Sequence, residues 1–412
     1  MSQKAGNYIF ALDIGSSNIR SVVGEILPNL PLQIIAAKTT ETHGIRKGQI
    51  FDNEDALEAV KTNLEEIEKQ FGEKPSGFIT SVGGPHIQSI TSRGVVAVSR
   101  ADGEITEDDV TRVIKAAEAV SLPKNKEIIH IIPKEFIVDK EEGIRDPVGM
   151  HGVRLEVECE VIMGSSGSIN SFVKIIEETG NSVTGIVFST LAASEAVLSK
   201  RQKELGVLVL DIGGSSTGLC VFEEGNLLTV SVLPIGASHV TNDVAIAFQL
   251  PIDIAEKVKL KYGMAYNKNL RKEEVSLKEF GDENNKRISR KKLIDVIEAR
   301  NIEILELVNK ELKKINRERL LPGGVVLTGG GAKMPIMEEL VKQELHLPCQ
   351  IGFPLGVEGI VDKIDDPSFA TAIGLLMWEL EEHKEKGISF PKKIKLGKKF
   401  SNIKKWFEGL LP

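Results

Sequence analysis

The chain has 412 residues, of which 41% are hydrophobic and 27% are charged, so it is long enough for two ordinary globular domains. It contains neither the roughly 18 consecutive apolar residues of a membrane-spanning helix nor an N-terminal signal-peptide pattern. Its three cysteines, Cys159, Cys220 and Cys349, are far apart. They offer no disulfide framework and no zinc site, which favours a reducing compartment.

The net charge of −7 is unevenly distributed along the chain. From Lys384 to Pro412, nine lysines and two glutamates give a local charge of +7, which leaves −14 for the rest. An acidic body argues against nucleic acid as a partner. The positive charge that could meet a negative partner is confined to the C-terminal tail.

Residues 8–26, YIFALDIGSSNIRSVVGEI, predict an apolar strand, an Asp-Ile-Gly turn with small and hydroxyl residues, and a second apolar strand. Residues 205–225, LGVLVLDIGGSSTGLCVFEEG, repeat this pattern. The aspartates Asp13 and Asp211 lie 198 residues apart, about half the chain. This spacing indicates two related domains.

The residue types in both turns suit a phosphate group. Glycine lets backbone N–H groups approach a phosphate closely, and Asp13 and Asp211 can hold Mg²⁺ through its water shell. One Asp-Ile-Gly could be an ordinary turn, but two copies in matching context favour a site that grips a triphosphate from both sides. The other predicted phosphate-binding residues of these turns are Gly15, Ser16, Ser17, Asn18, Gly213, Gly214, Ser215 and Thr217.

The second turn also contains a pattern typical of serine hydrolases, G-x-S-x-G, over residues 214–218. A nucleophile elbow must run from a strand into a helix. Here the following residues, LCVFEEG, continue as a strand. The hydrolase interpretation is therefore rejected.

The segment between the hairpins predicts a compact α+β insert over roughly residues 84–164. Residues 92–100 alternate like a strand, and a helix over 105–121 has Thr106 as its N-cap and Asp109 three residues on. Residues 128–139 and 152–163 are again strand-like. The scattered histidines of this insert, His86, His130 and His151, are interpreted as ordinary surface or core residues.

A third glycine cluster lies in residues 323–345, GGVVLTGGGAKMPIMEELVKQEL, between a predicted strand and a predicted helix. Gly329, Gly330 and Gly331 alone could be a simple helix-entry loop. After two phosphate hairpins, they are interpreted as the wall against which a base and ribose lie.

Two phosphate hairpins followed by a nucleoside turn resemble the superfamily of actin, Hsp70 and sugar kinases. Residues 125–180, above all IHIIPKEFIVD and GIRDPVGMHGVRLE, resemble the bacterial cell-division protein family FtsA. The resemblance covers about 8–382, with a looser match at the tail. It implies an α/β, two-domain actin-like fold with an inserted α+β subdomain (1C) and a C-terminal amphipathic helix, and it implies ATP and Mg²⁺ as cofactors.

The resemblance also divides the chain. The implied regions are 1–83 and 165–203 for the core of domain 1, 84–164 for the insert, 204–238 and 320–383 for the core of domain 2, 239–319 for subdomain 2B, 384–399 for a flexible basic linker, and 400–412 for a membrane-targeting helix.

Further site residues follow from the same resemblance. Gly236 matches a position that approaches phosphate, and Glu256 and Lys259 match positions that touch ribose and base, although they could be a solvated ion pair. Lys292 and Arg300, eight residues apart on a helix predicted over 287–315, match positions that meet the acidic C-terminal tail of FtsZ. They could also be two exposed charges without a role.

One stretch departs from the family. Polymerising relatives carry a carboxylate, and some FtsA chains an amide, before a proline to orient the attacking water. Here the stretch 185–200, GIVFSTLAASEAVLSK, has Ser189 and Thr190 instead, and Glu195 lies further along. Without an orienting group, transfer of a phosphoryl group to water loses a large catalytic contribution. At most slow ATP hydrolysis is expected, so enzymatic activity stays an open question.

The tail predicts a membrane anchor. On a helix, its apolar residues fall within an arc of about 140°, as in an interfacial helix that binds anionic lipids. Docking of this helix on the protein's own core or on a partner is the alternative. The residues of the apolar face are Phe400, Ile403, Trp406, Phe407, Leu410 and Leu411.

The resemblance implies a peripheral protein on the cytoplasmic face of the cell membrane at the division septum. It would polymerise, tether FtsZ and recruit later division proteins through the insert. The rival interpretation is a PilM-like scaffold of a pilus machine, which would not need the basic aromatic tail. A small-molecule kinase of the same superfamily is a weaker rival.

Overall fold

The computed structural model describes residues 7–119, 122–267, 273–281 and 286–385. Within these ranges, no helix is both long and apolar enough to cross a membrane. The predicted C-terminal helix and nearly all of the predicted linker lie outside the described residues.

The elements are numbered in chain order. The strands are β1 (Asn7–Ile14), β2 (Asn18–Ile26), β3 (Leu32–Glu41), β4 (Ile45–Arg46), β5 (Gln49–Ile50), β6 (Phe78–Val82), β7 (Gln88–Ala97), β8 (Lys126–Val138), β9 (Glu141–Ile144), β10 (Arg154–Ser165), β11 (Val183–Phe188), β12 (Val207–Ile212), β13 (Thr217–Glu223), β14 (Asn226–Leu233), β15 (Glu274–Ser276), β16 (Arg287–Ser289), β17 (Gly324–Thr328), β18 (Cys349–Ile351) and β19 (Val357–Gly359). The helices are α1 (Asn53–Phe71), α2 (Glu107–Glu118), α3 (Ser166–Glu178), α4 (Ser189–Val197), α5 (Lys200–Leu205), α6 (Ala237–Phe248), α7 (Ile252–Tyr262), α8 (Arg290–Lys314), α9 (Met337–Leu345), α10 (Val361–Ile364) and α11 (Ala370–Glu385), with 3-10 turns at Leu277–Phe280, Gly330–Lys333 and Pro367–Phe369.

The first domain is built on a sheet with the strand order β11-β6-β1-β2-β3-β19. Side chains alternate along a strand, so the two faces of β1 enter different cores. Ile9 and Ala11 join a core that contains residues of α4 and α11, whereas Phe10 and Leu12 join one that contains residues of α1 and α3. Helices therefore cover both faces of this sheet, which explains why β1 is apolar on both.

The second domain repeats this arrangement. Its sheet has the order β14-β13-β12-β17-β18, with β12 antiparallel to β13 and parallel to β17. In the first sheet β1 is likewise antiparallel to β2 and parallel to β6. The series β3-β2-β1-β6-β11 thus has the same order and directions as β14-β13-β12-β17-β18, which confirms the predicted internal repeat.

The insert is a separate antiparallel sheet in the order β7-β10-β8-β9, with α2 packed on one face. Leu155, Val157 and Cys159 alternate along β10 and are buried in the core that they share with α2. Helix α2 starts with the predicted capping box of Thr106 and Asp109. The predicted strands and helix of the insert are therefore confirmed.

The insert also forms hydrogen bonds with the second domain. Arg145, from the GIRDPVG stretch, donates two hydrogen bonds of 3.2 Å to the carboxylate of Glu204. It donates a third, of 2.8 Å, to the backbone oxygen of Glu224. The Ser89 hydroxyl donates to the backbone oxygen of Val230 on β14 at 3.3 Å. The insert therefore contacts the second domain through both side-chain and backbone acceptors.

Two of the insert histidines make backbone contacts. The Phe188 N–H donates to His130 Nε2 at 3.0 Å, and the Ser165 N–H donates to His86 Nδ1 at 3.3 Å. Burial lowers the pKa of His86. Among the described residues, no three His, Cys, Asp or Glu side chains come together as a metal-binding group.

One predicted boundary differs from the structure. Residues 320–383 were assigned to the second domain, but β19 pairs with β3 of the first sheet, and α11 packs on α4. The two helices approach each other closely at Gly374, where a Cβ atom would lie 1.7 Å from the backbone oxygen of Ala192. The chain returns to the first domain because α11 completes the core on that face of the first sheet.

Candidate functional site

A cavity of about 380 Å³ lies between the two domains. The turn after β1, the turn after β12 and the third glycine turn all line it, together with α7. The structure therefore brings together most of the residues predicted from three separate stretches. Those that line the cavity are Asp13, Gly15, Ser16, Ser17, Asn18, Asp211, Gly213, Gly214, Glu256, Lys259, Gly329, Gly330 and Gly331.

The two hairpin turns have the same backbone hydrogen bond. The Gly15 N–H donates to the Asn18 oxygen at 3.1 Å, and the Gly213 N–H donates to the Ser216 oxygen at 3.0 Å. The turns also touch each other, because a Cβ on Gly214 would lie 2.1 Å from Ser17 Oγ. The cavity is thus bounded by two equivalent, closely approaching turns.

The two aspartates are half-buried at the base of these turns. Asp13 accepts a 2.7 Å hydrogen bond from the Ser81 hydroxyl, yet burial raises its pKa. Burial, with repulsion from Asp13, raises the pKa of Asp211 to about 7. A cation beside them would stabilise both carboxylates, and two carboxylates suit Mg²⁺, which keeps much of its water shell. The donor set therefore fits this metal.

Arg20 is a cavity residue that the sequence analysis missed. It lies opposite Asp13 in the β1–β2 pair, and its charge counteracts the rise in the pKa of both aspartates. Burial lowers the pKa of Arg20 itself. The available sequence signal was an arginine seven residues after Asp13, in the second strand of the hairpin. A cationic side chain that lines the cavity can bind an anionic ligand.

The glycines of the third turn are required by the neighbouring hairpin. Gly329 has a φ of 81°, and a Cβ there would lie 2.2 Å from Asp211 Oδ1. A Cβ on Gly331 would lie 2.3 Å from Ile212 Cγ2, whereas Gly330 has open space. Two of the three glycines thus let this turn pack on the second hairpin, and Gly330 presents bare backbone to the cavity.

Three predicted residues lie beside the cavity. The Ser215 hydroxyl donates to Ser16 Oγ at 2.7 Å, so it bridges the two turns. The buried Thr217 hydroxyl donates to the Ile235 oxygen at 2.8 Å, within the second domain. A Cβ on Gly236 would lie 2.5 Å from the Gly213 oxygen. Gly236 therefore allows α6 to approach the second turn, which is a packing reason for glycine.

Glu256 and Lys259 form an ion pair of 2.7 Å in the wall made by α7. Lys259 is 5% exposed, and its ammonium also donates to the Thr241 hydroxyl at 2.8 Å. Thr241, on α6, was missed by the sequence analysis. The pair is thus anchored to α6 and differs from a solvated ion pair.

The stretch that departs from the family begins α4. Ser189 and Thr190 line the cavity, and a Cβ on Gly218 would lie 1.8 Å from Thr190 Oγ1. The Glu195 carboxylate instead binds the Lys203 ammonium at 2.8 Å with both oxygens. The only predicted side chains of this stretch that reach the cavity are therefore hydroxyls.

Lys292 and Arg300 lie on α8, on the side that meets α6. Lys292 is exposed, with its Nζ 5.8 Å from the centre of the Phe248 ring. Arg300 forms hydrogen bonds to both oxygens of Asp243, at 2.5 and 2.9 Å, and a short ion pair with Glu303. Arg300 is thus already engaged by carboxylates.

The predicted membrane-binding residues lie outside the described residues. They are Phe400, Ile403, Trp406, Phe407, Leu410 and Leu411.

Comparison with known proteins identifies the family. The family model "SHS2 domain inserted in FTSA" matches residues 84–163, and "Cell division protein FtsA" matches 208–374. Cell division protein FtsA of Borreliella burgdorferi is 37% identical over 97% of this chain and 98% of the relative. The chain belongs to the FtsA family. FtsA of Pseudomonas aeruginosa is 32% identical over 99% of both chains.

Solved structures place the FtsA-family chain in the actin-like fold. A chain of the PilM–PilN type IV pilus biogenesis complex has a TM-score of 0.63 at 18% identity and covers 90% of this chain and 97% of its own. MreB5 of Spiroplasma citri bound to ADP has a TM-score of 0.55 at 14% identity and covers 93% and 99%. The predicted fold class is confirmed, with the SHS2 domain as its insert, and the family assignment favours FtsA over PilM.

Proposed function

We propose that this cell-division protein of the FtsA family binds ATP with Mg²⁺ in the cleft and uses the bound state to control assembly. In this proposal it forms filaments, tethers FtsZ to the cytoplasmic face of the cell membrane at the division septum, and recruits later division proteins through the insert. The observation that carries nucleotide binding is the pair of equivalent hairpins whose turns meet across the cavity.

In this proposal, different residues bind different parts of the nucleotide. The N–H groups and hydroxyls of the two turns would bind the phosphates, Asp13 and Asp211 would hold Mg²⁺ through its water, and Gly330 would lie against the nucleoside. Mg²⁺ supplies charge neutralisation of the phosphates when it is bound. MreB5 of Spiroplasma citri, which shares the fold, has been solved with ADP and with AMPPNP, which supports a nucleotide in this cleft.

Hydrolysis should be slow. Ser189 and Thr190 line the cavity, and a neutral hydroxyl is a poor group for orienting water. The nearest carboxylate of the stretch, Glu195, is held by Lys203. We therefore propose that ATP acts mainly as a conformational ligand.

The acidic tail of FtsZ is proposed to bind α8 at Lys292 and Arg300. Reversing both charges, with Lys292→Glu and Arg300→Glu, should abolish FtsZ-tail binding at low salt, because each attraction becomes a repulsion. Fluorescence anisotropy of a labelled FtsZ tail peptide measures this.

Lys291→Glu is the matched control, since Lys291 is exposed on the preceding position of α8 and points about 100° away. Arg300→Glu also places a second carboxylate next to Asp243, so ATP binding is used to check that the double variant folds. Lys292→Glu alone should weaken binding of the peptide at least severalfold. Unchanged peptide binding by the folded double variant would show that the FtsZ tail binds at another site.

The tail is proposed as the membrane anchor. Truncation after Lys384 removes only the last residue of α11, because α11 ends at Glu385, and the α11 residues of the core, such as Ile373 and Leu376, remain. Folding and ATP binding should survive, while sedimentation with anionic vesicles should be lost.

Neutral vesicles serve as the control for charge, because each lysine near an anionic surface contributes about 1 kcal/mol. A truncated chain that still sediments with anionic vesicles, or one that no longer folds, would reject the anchor.

A further inference from the structure

A short hairpin of the first domain touches the turn that follows β12. Its strands β4 and β5 are joined by Lys47 and Gly48, whose φ angles are 50° and 64°. Positive φ at both central residues is what a type I′ hairpin turn requires. The Lys47 N–H donates to Ser215 Oγ at 2.8 Å. The backbone of hairpin β4–β5 therefore binds a side chain of a turn that is proposed to hold phosphate.

The same hairpin packs on the chain where it enters the insert, at about residue 84. A Cβ on Gly48 would lie 1.8 Å from the Gly83 oxygen, and a Cβ on Gly84 would lie 2.5 Å from the Lys47 oxygen. Backbone thus meets backbone, with no side chain between the two segments. Displacement of the hairpin therefore displaces the entry of the insert.

His86 connects the hairpin to the exit of the insert. Its Nδ1 accepts a hydrogen bond of 3.3 Å from the Ser165 N–H, at the end of β10. A neutral imidazole that accepts at Nδ1 carries its proton on Nε2, and Nε2 lies 3.2 Å from the Gly48 oxygen. Burial lowers the pKa of His86, which favours this neutral ring. One side chain therefore joins the hairpin, the entry and the exit.

A phosphate at the turn after β12 would act on these contacts through Ser215. A hydroxyl has a single proton, and that of Ser215 is donated to Ser16 Oγ at 2.7 Å. Donated to a phosphate instead, this proton would anchor Ser215 to the ligand, while Oγ would still accept from the Lys47 N–H. Binding of phosphate would therefore hold hairpin β4–β5 in place and, through it, His86.

We infer that hairpin β4–β5 couples nucleotide binding to the insert and that His86 is the positioning residue of this coupling. The inference rests on the proposed nucleotide site. It adds a route by which occupancy of the cleft controls the part of the chain that is proposed to recruit later division proteins. Because coupling between two sites is reciprocal, a partner that fixes the insert would also strengthen nucleotide binding.

Hydrogen–deuterium exchange of the full chain, with and without saturating Mg²⁺-ATP, tests this coupling. In the natural protein, ATP should slow exchange at the phosphate turns, residues 13–18 and 211–217. It should also slow exchange at both ends of the insert, residues 84–88 and 163–168, by about fivefold or more, which is the lower end of the usual coupling range.

His86→Asn separates coupling from a merely structural role. The amide oxygen of asparagine can replace Nδ1 as the acceptor for the Ser165 N–H, but asparagine is too short to replace the Nε2–H donor to Gly48. In this variant the phosphate turns should still respond to ATP, whereas residues 163–168 should not. His151→Leu, at an exposed histidine of the insert, is the control and should behave like the natural protein.

An ATP response of residues 163–168 that is unchanged in folded His86→Asn would overturn the inference. A natural protein whose phosphate turns respond while both ends of the insert do not would also overturn it and would leave nucleotide binding intact. Phosphate turns that do not respond to ATP would overturn the proposed function as well. The natural protein alone decides the last two outcomes, so the test does not depend on the folding of a variant.

Discussion

Replacing Asp211 with asparagine should abolish Mg²⁺-dependent ATP binding and, at neutral pH, make the ligand-free protein more stable. The carboxylate would hold the metal, but without a metal it is half-buried and repelled by the charge of Asp13. These two conditions raise its pKa from 3.8 to about 7. Above pH 7, a pKa shift of this size lowers the free energy of unfolding by about 4 kcal/mol.

The direction of the pH dependence follows from proton counts. Between pH 4 and pH 7 the folded protein keeps a proton on Asp211 that the unfolded chain has lost, so stability falls as pH rises through this window. Asp211→Asn removes this contribution. The stability difference between variant and natural protein should therefore be near zero at pH 4 and reach its maximum above pH 7.

Urea unfolding from pH 4 to pH 8, with and without Mg²⁺-ATP, measures both effects. The natural protein should gain about 2.7 kcal/mol at a ligand concentration of 100 times Kd, and Asp211→Asn should gain none. Asp253→Asn, at an exposed carboxylate of the same domain, is the control. A variant that is less stable without ligand, or that keeps the full gain with ligand, would contradict the assignment.

Replacing Gly374 with alanine should destabilise the fold by about 3 kcal/mol. The new methyl group would lie 1.7 Å from the Ala192 oxygen, and a backbone atom cannot swing aside as a side chain can. Helices α4 and α11 must then move apart. The expected loss of stability lies at the upper end of the range for overpacked cores. Thermal and urea unfolding measure the loss.

Gly167→Ala in α3 is a matched control, because it also changes a helical glycine. A Cβ there would meet only Ser165 Oγ, at 3.8 Å, so the substitution should be neutral or slightly stabilising. Equal stability of Gly374→Ala and the natural protein would mean that α4 and α11 do not pack as described.

The hairpins could be predicted because they are local. Asp-Ile-Gly between two apolar strands specifies its own turn, and a second copy indicates a second domain of the same build. The capping box of Thr106 and Asp109 is similarly local. Such patterns depend on neighbours within a few residues, so a single sequence suffices to find them.

Other features depend on distant contacts. The sequence of α11 alone does not indicate which sheet the helix packs against, so the sequence analysis assigned α11 to the second domain instead of the first. Ser215 and Thr217 have the hydroxyls expected of phosphate ligands, but their partners are set by the approach of the other hairpin and of Ile235. Arg20 joins the site only through the cross-strand register that places it opposite Asp13.

Liposome flotation with FtsZ tests the central claim most directly. FtsZ, anionic vesicles and Mg²⁺-ATP are mixed with the full chain, with the chain truncated after Lys384, or with neither. We predict that FtsZ rises with the vesicles only when the full chain is present, and that Lys292→Glu with Arg300→Glu leaves FtsZ at the bottom while the chain itself floats. Flotation of FtsZ with the truncated chain, or failure of FtsZ to float with a full chain that binds both ATP and vesicles, would contradict the proposed tether.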